Sequence, residues 1–231
     1  MPEITPPPRP STIADIYRDK PRGYFGSSRE DIVQLLETGP QSAILELGCG
    51  AGGTGRAAMA AGKAGRYVGI ELDPEAAATA AQDLSEVLVG DVGDEEKVDL
   101  RPLEGAFDAL IISEVLEHLT DPWKTLQRLV RCLKPGGVVF ASSPNIAHWQ
   151  ILRELWFGRF VYSDVGVMDR THLRWFTPES YREMFDAAGV EVLSVDALTP
   201  LRWKARAFDN LTGGRFHHLF VAQIMLKGRR R

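Results

Sequence analysis

A glycine-rich turn near the N-terminus has the composition of a site for a nucleotide-like ligand. It follows the apolar run AILEL (43–47) and precedes an alanine-rich stretch. Glycines let the backbone turn sharply and let a ligand approach without interference from a Cβ atom. Glu71 ends the next apolar run, where a carboxylate can accept both ribose hydroxyls of a nucleoside. We assign to this ligand site Glu46, Gly48, Cys49, Gly50 and Gly52.

The same turn also fits the dinucleotide pattern GxGxxG through Gly48, Gly50 and Gly53, although that pattern alone is weak. Glu46 argues against a dinucleotide, because its carboxylate would repel a pyrophosphate but accept a cationic ligand nearby. Asp91 ends a third apolar run, where a carboxylate can accept a hydrogen bond from the exocyclic amine of adenine. A turn or capping role is the alternative for Asp91.

The segment 114–118 brings two carboxylates and an imidazole close together in sequence. If it is helical, Glu114, Glu117 and His118 share one face and can ligate a divalent cation. Carboxylate oxygens with one or two imidazoles favour Mg²⁺ or Mn²⁺ over Zn²⁺. The alternative is that Glu117 and His118 only orient the loop and helix that follow.

His148 follows the fifth apolar run and is a candidate general base, because histidine titrates near neutral pH. Pro144 and Asn145 precede it and are expected on the acceptor side of the site. A surface or core role is the alternative for His148.

Strands and helices that alternate along the chain must position these residues. Short apolar runs bounded by glycines indicate buried parallel strands. We predict strands at 43–47, 66–71, 86–91, 107–113, 138–143, 190–195 and 218–226. We predict helix starts at Ser28 as a cap, with that helix ending near Gly39, at Asp73-Pro74 and at Thr177-Pro178. The pattern predicts an α/β fold with a parallel, doubly wound sheet.

An aromatic-rich insertion, residues 144–176, interrupts this alternation after the fifth strand. Ligands of such sheets bind at the carboxyl ends of the strands, so the insertion is interpreted as a lid or as a wall of the acceptor pocket. A satellite hydrophobic cluster beneath a long loop is the alternative. Its aromatic residues are Trp149, Trp156, Phe157, Phe160, Tyr162, Trp175 and Phe176.

The size of the chain, 231 residues, suits one α/β domain. We expect a disordered, proline-rich segment at 1–12 and a single domain over 13–231. The net charge of −4 makes nucleic acid an improbable partner. The basic cluster at 229–231 is interpreted as a frayed, solvated tail.

The two cysteines, Cys49 and Cys132, show no metal-ligand spacing and are expected to be free thiols in a reducing compartment. The N-terminal residues lack the apolar stretch of a signal sequence, and no window is apolar enough to span a membrane. A cytoplasmic location is therefore expected.

Beyond these patterns, the chain resembles the class I S-adenosylmethionine-dependent methyltransferases. The resemblance lies in ILELGCGAG, VGIELDP, GDV, FDALIISEVLEHLTDP, LVRCLKPGG and SSPN, in that order over about 43–145, and extends through THLRWFTPES to about 195. It implies a Rossmann-like, seven-stranded sheet whose last strand is antiparallel. It also implies that Glu46 and the turn flank the methionine part of the cofactor, and that Glu71 and Leu72 lie at the ribose. Asp91 and Val92 would flank adenine, and Ser113 would lie near the sulfonium.

The ExxEH pattern is similar to that of divalent-metal-dependent small-RNA 2′-O-methyltransferases and of ubiquinone-pathway O-methyltransferases. The resemblance implies a further metal ligand at His172, and a Mg²⁺ or Mn²⁺ ion that binds a vicinal diol and lowers the pKa of one hydroxyl. Many methyltransferases with a similar VLEHL segment use no known metal, so a structural role stays open.

The expected reaction is methyl transfer to a small hydroxylated acceptor, with a sugar or other polyol as the first choice. The resemblance of the C-terminal half to bacterial methyltransferases of cell-surface sugar synthesis supports this choice. The acceptor proton would pass to His148 or His172, or would be lost at the metal. N-methylation of an amino sugar and O-methylation of a quinone-like phenol remain alternatives. A nicotinamide-dependent oxidoreductase and a non-catalytic S-adenosylmethionine-binding protein are alternatives from other classes, and the sequence leaves the oligomeric state open.

Overall fold

A computed structural model of the protein describes residues 28–199, 201 and 203–231, so the predicted disordered segment 1–12 lies outside the described residues. Within these residues there are seven strands: β1 Ala43–Leu47, β2 Arg66–Glu71, β3 Glu86–Val89, β4 Phe107–Ser113, β5 Leu133–Pro144, β6 Val190–Ala197 and β7 Gln223–Arg230. The α-helices of the described part of the chain are α1 Glu30–Leu35, α2 Gly53–Ala60, α3 Pro74–Ala80, α4 Pro122–Cys132, α5 Trp149–Trp156, α6 Pro178–Ala187 and α7 Trp203–Leu211. Short 3₁₀ helices occur at Arg101–Leu103, Leu116–His118 and His217–Leu219.

The seven strands form one sheet in the order β3-β2-β1-β4-β5-β7-β6. Strands β1 to β5 pair in parallel, and β7 is antiparallel to both β5 and β6. The expected seven-stranded, mostly parallel architecture is therefore confirmed. From β1 the sheet is built outwards in both directions: β2 and β3 follow on one side, and β4 and β5 on the other. The boundary between β1 and β4 is the switch point, where ligands of such sheets bind.

Apolar side chains cover both faces of the sheet, which explains why the central strands read as continuous hydrophobic runs. One face packs Leu45, Leu110 and Phe185 into a common core, and the other packs Ile44, Tyr67 and Phe140. The central strands are therefore closed to water on both faces, which leaves their ends open to a ligand. No helix among the described residues is long and apolar enough to cross a bilayer.

Two of the three predicted helix starts agree with the structure. The side chain of Asp73 accepts a hydrogen bond from the backbone N–H of Ala76, with Pro74 as the first residue of α3. Thr177 forms a capping box with Ser180 at the start of α6. These caps satisfy backbone donors that the first turn of a helix leaves without partners.

The prediction at Ser28 is wrong. The residue before α1 is Arg29, and no side chain caps that helix. The Ser28 hydroxyl instead donates to the carbonyl of Gly53 at 3.4 Å, so tertiary contact with α2 replaces the local cap. The helix also ends well before Gly39, because Leu36 is extended.

The interpretation of residues 229–231 as a frayed tail is also wrong. Strand β7 begins later than predicted and runs to Arg230, where it lies between β5 and β6. Arg229 pairs with Val138 on one side and with Glu191 on the other. Hydrogen bonds to two neighbouring strands hold this basic segment in the sheet, and the guanidinium of Arg230 donates to the carbonyl of Leu133.

Candidate functional site

A cavity of about 370 Å³ lies at the carboxyl ends of β1, β2 and β4, at the switch point of the sheet. It collects nearly all of the residues that the sequence assigned to a cofactor. Those that line it are Glu46, Gly48, Cys49, Gly50, Glu71, Leu72, Asp91, Val92 and Ser113. The described residues that line it include none from the insertion 144–176. The strand order thus gathers distant segments of the chain into one pocket.

Gly52 is the assigned residue that the cavity does not include. It lies at the start of α2 with a φ of +79°, and a Cβ atom there would come within 3.1 Å of the Cα of Ala80. Its role is therefore in the turn itself and in the packing of α2 against α3. A glycine pattern cannot separate a residue that faces a ligand from one that makes room for the backbone.

Glu71 connects the glycine turn to the end of β2. One carboxylate oxygen accepts a hydrogen bond from the N–H of Gly50 at 2.8 Å, and the other accepts from the N–H of Asp73 at 2.9 Å. Burial raises the pKa of this carboxyl above its usual value, against the effect of these backbone donors. Each oxygen retains a lone pair that a ribose hydroxyl can use.

Glu46 is a fully buried carboxyl at the floor of the cavity. The hydroxyl of Tyr67 donates to it at 2.9 Å. Burial is the main cause that raises the pKa of Glu46 to about 7, and the hydrogen bond from Tyr67 opposes that shift. Near neutral pH this group is therefore poised between a neutral acid and an anion, and a cationic ligand would favour the anion.

Arg29 was missed by the sequence reasoning, yet its side chain lines the cavity. Its Nη1 donates to the hydroxyl of Ser142 at 2.8 Å, and its guanidinium forms an ion pair with Asp31 at 2.8 Å. Its backbone N–H donates to the hydroxyl of Thr54 at 3.2 Å, which fixes the entry to α1. No local pattern marks this residue, because the sheet brings it to the pocket through contacts with segments far along the chain.

Asp91 has the turn role that the sequence gave as the alternative, and it also lines the cavity. Its carboxylate accepts a hydrogen bond from the N–H of Gly93 at 2.8 Å, as in a tight turn. The same residue lines the cavity together with Val92. A turn of this kind holds the carboxylate at the rim, where its second oxygen can meet an adenine amine.

The segment 114–118 is not a continuous helix, so the predicted common face of Glu114, Glu117 and His118 is wrong. Glu114 has a φ of +55°, in the left-handed region, and only Leu116–His118 forms a 3₁₀ turn. Glu114 consequently points into the cofactor cavity. Within the described residues, its Oε1 and the hydroxyl of Ser113 are buried without a hydrogen-bond partner. Two polar groups therefore point into the cavity with capacity to bind a ligand.

Three predicted metal ligands do converge: Glu117, His118 and His172. Each offers one ligand atom, and these atoms lie within 4.8 Å of one another, all on buried residues. His172 reaches the group from the insertion, as the resemblance implied, whereas Glu114 is not a member. His118 also lines the cofactor cavity, so the cluster adjoins the pocket.

Backbone carbonyls orient both imidazoles. The Nδ1 of His118 lies 3.2 Å from the carbonyl oxygen of Thr171, and the Nδ1 of His172 lies 3.1 Å from that of Val167. A carbonyl only accepts, so each Nδ1 carries the proton in these contacts, and in a neutral ring the Nε2 then bears the lone pair. Metal-ligating histidines have this arrangement in most proteins.

Glu117 completes the set as a buried carboxyl. Its Oε2 accepts a hydrogen bond from the hydroxyl of Ser143 at 3.2 Å, and its Oε1 has no partner among the described residues. Burial raises the pKa of Glu117 well above its usual value, and the charge of Glu114 adds to that shift. A buried carboxylate oxygen without a donor beside two oriented imidazoles fits the requirements of a cation.

His148, the other candidate base, is not among the described residues that line the cavity. It precedes α5, and its ring lies 5.9 Å from that of Trp149. Partial burial lowers its pKa. The nearby Asn145 is fully buried, and its amide donates to the carbonyls of His218 and Val221. Asn145 thus joins the end of β5 to the segment before β7 rather than facing an acceptor.

Comparison with known proteins gives a consistent result. The family profile described as "Methyltransferase domain" matches residues 22–195. An uncharacterized methyltransferase of Mycobacteroides abscessus is 27% identical and covers 85% of this chain and 78% of the relative. A ubiquinone biosynthesis O-methyltransferase of Xanthomonas campestris is 31% identical, over 54% of this chain and only 53% of the relative. The solved structure of an S-adenosylmethionine-dependent methyltransferase from Archaeoglobus fulgidus superposes with a TM-score of 0.65, at 16% identity, covering 90% of this chain and 97% of that one.

Proposed function

The chain belongs to the class I S-adenosylmethionine-dependent methyltransferases, and on that premise we propose that it O-methylates a small acceptor with two adjacent hydroxyls at a divalent-metal centre. The observation that carries the proposal is the convergence of Glu117, His118 and His172 beside the cofactor cavity. An acceptor held there would lie next to the pocket that supplies the methyl group.

The cavity supports a specific placement of S-adenosylmethionine. The buried carboxyl of Glu46 matches the cationic methionine part, and the oxygens of Glu71 match the ribose hydroxyls. Asp91 at the rim matches the adenine amine. Ser113 and Glu114, whose buried polar atoms have no partner in the described chain, would then lie near the sulfonium end.

The metal centre would be held by two imidazoles and one carboxylate. Without Glu114, the ligand set has two nitrogen donors and one carboxylate. Such a set favours Mn²⁺ over Mg²⁺ and also accepts Zn²⁺. When bound, such an ion lowers the pKa of a coordinated hydroxyl and orients a diol. The chain's own contribution is to fix the two rings through the carbonyls of Thr171 and Val167 and to keep the Glu117 carboxyl buried.

The acceptor class follows from the chemistry of such a centre, because adjacent hydroxyls can bind one cation together. A sugar or other polyol is the first candidate. A phenol with adjacent hydroxyls is the second candidate, because one relative is a ubiquinone biosynthesis O-methyltransferase. The insertion 144–176 supplies His172, and we assign it to the acceptor side.

The test is a methyl-transfer assay with S-adenosylmethionine and Mn²⁺ against four acceptors: a sugar with a vicinal diol, a catechol, an amino sugar and an RNA end. Mass spectrometry of the product identifies the methylated atom. We expect a methyl ether on the sugar or the catechol, and loss of turnover in excess chelator. Turnover on nitrogen, or full activity in chelator, would contradict the proposal and leave His148 as the remaining base candidate.

A further inference from the structure

An exposed apolar surface covers α5, the loop that follows it, and α7. We call it the aromatic face. Trp156 is 86% exposed, Trp203 74% and Leu211 85%. Its large apolar side chains are Trp149, Leu152, Leu155, Trp156, Phe157, Phe160, Val161, Tyr162, Val165, Trp203, Phe208 and Leu211. Scattered exposed apolar residues are ordinary, but a concentration of this kind marks a surface that meets another apolar phase.

The helices α5 and α7 contribute to one surface rather than two. Trp149 from α5 lines a shallow cavity of about 780 Å³ together with Trp203 and Phe208 from α7. The ring of Phe208 packs against those of Phe216 and Phe220 behind it. Packing within the protein therefore holds Phe208 in place where α5 and α7 meet.

Cations lie directly over the exposed rings of this face. They stand 5.4 to 5.6 Å from the ring centroids: Arg153 over Trp149, Lys204 over Trp203 and Arg159 over Phe157. Arg153 and Arg159 both form ion pairs with Glu154, and in α7 Asp209 is bound to His217. No described carboxylate pairs with Lys204 or Arg206. The positive charge of this face is therefore carried by Lys204 and Arg206 of α7, although the whole chain has a net charge of −4.

We propose that the aromatic face docks on the surface of an anionic lipid bilayer, an interaction that goes beyond the proposed methyl transfer. Tryptophans and exposed aliphatic side chains are suited to the boundary between headgroups and acyl chains, and Lys and Arg beside them meet anionic headgroups. A second copy of the chain could cover the same apolar area, but it would bring two locally positive faces together. The charge therefore favours a lipid surface over self-association.

The face is also connected to the candidate metal centre. The carbonyl of Val167 accepts hydrogen bonds from the indole of Trp175 at 3.2 Å and from the Nδ1 of His172 at 3.1 Å. The ring of Trp175 packs against Phe160 of the aromatic face, with centroids 6.1 Å apart. A chain docked through this face would hold the loop that carries His172 close to the bilayer surface.

Vesicle co-sedimentation tests the proposal with the full chain and needs neither cofactor nor metal. Vesicles of phosphatidylcholine alone are compared with vesicles that contain about 25% phosphatidylglycerol. We expect at least about tenfold stronger partition onto the anionic vesicles, weakened at about 0.5 M NaCl. Trp156→Glu and Trp203→Glu should each reduce partition at least about tenfold. Leu193→Glu is the control, since Leu193 is 44% exposed on the edge strand β6, outside the aromatic face.

Each other outcome overturns the inference. Equal partition onto neutral vesicles would remove the role of charge, and absence of vesicle binding would remove the bilayer altogether. Self-association that Trp156→Glu abolishes would identify a second copy as the occupant. Circular dichroism of each variant is the control for retention of the fold. Because the readout is physical binding, failure of the proposed methyl transfer would leave this result unchanged.

Discussion

The imidazole of His172 lies edge-on to that of His118, with ring centroids 4.7 Å apart and planes inclined by 70°. Two segments distant in sequence make this contact, and backbone hydrogen bonds hold the segments together. The carbonyl of Glu117 accepts from the N–H groups of Leu173 and Arg174 at 2.8 and 3.0 Å. The pair is therefore built by the packing of a loop onto the 3₁₀ turn after β4. Glu117 forms a cluster with the two rings and Glu114 does not, which separates the two carboxyls.

That separation gives the first prediction. Glu117→Gln should weaken Mn²⁺ binding by at least about 100-fold, because it removes the charged ligand from the cluster. Glu114→Gln should weaken Mn²⁺ binding far less, by about tenfold at most, since Glu114 is outside the cluster and acts on the ion only through its charge. Calorimetric titration of the chain with Mn²⁺ measures both. Equal losses in the two variants would restore the four-ligand site and refute the three-ligand arrangement.

The second prediction concerns the ribose contact. Glu71→Ala should weaken S-adenosylmethionine binding by about 1.5–3 kcal/mol, the scale of charge-assisted hydrogen bonds. Glu75→Ala is the matched control, because Glu75 is an exposed carboxylate in the first turn of the next helix. Calorimetry gives the affinity, and a thermal melting curve shows whether the substitution also destabilises the fold. Wild-type affinity in the Glu71 variant would show that the ribose assignment is wrong.

The glycine turn and the strand alternation could be predicted because each depends on local pattern, whereas the switch point depends on the order of the strands in the sheet. The positions of Glu46, Glu71 and Asp91 follow directly from where strands end. Arg29 could not be predicted, because its hydrogen bond to Ser142 depends on tertiary packing. Nor could the left-handed backbone of Glu114, which no sequence pattern there announces.

The third prediction concerns Asn145, which the sequence placed on the acceptor side. Its amide donates to two carbonyls at 2.6 and 2.8 Å, and its Oδ1 accepts from the N–H of Ala147 at 2.9 Å. Asn145→Ala should lower the free energy of unfolding by about 2–4 kcal/mol, since it leaves buried backbone groups without partners. Denaturant unfolding measures this loss. Ser163→Ala, at a partly exposed hydroxyl of the same insertion, should cost less than about 1 kcal/mol.

Unchanged stability in the Asn145 variant, with a selective rise in the KM of the acceptor, would overturn the structural assignment and return this residue to the acceptor site.

The last prediction uses the carboxyl of Glu46, whose pKa burial raises from 4.5 to about 7. The groups that act on it are the hydroxyls of Tyr67 and Thr54, the carboxylate of Glu71 and the guanidinium of Arg29. An acid with a raised pKa binds more protons in the folded chain than in the unfolded one. Its stabilising effect is therefore full below pH 4.5 and is lost as the pH rises to about 7.

Cofactor binding should show the opposite trend over the same range. If the cationic methionine part lies against Glu46, binding favours the anion and releases a proton, so affinity rises by up to about tenfold per pH unit below the pKa and levels off above it. Calorimetry in buffers of different ionisation enthalpy counts the released proton directly. Glu46→Gln should bind more weakly and flatten the affinity profile between pH 4.5 and about 7. A wild-type profile that is already flat there would mean that the cofactor does not reach this carboxyl.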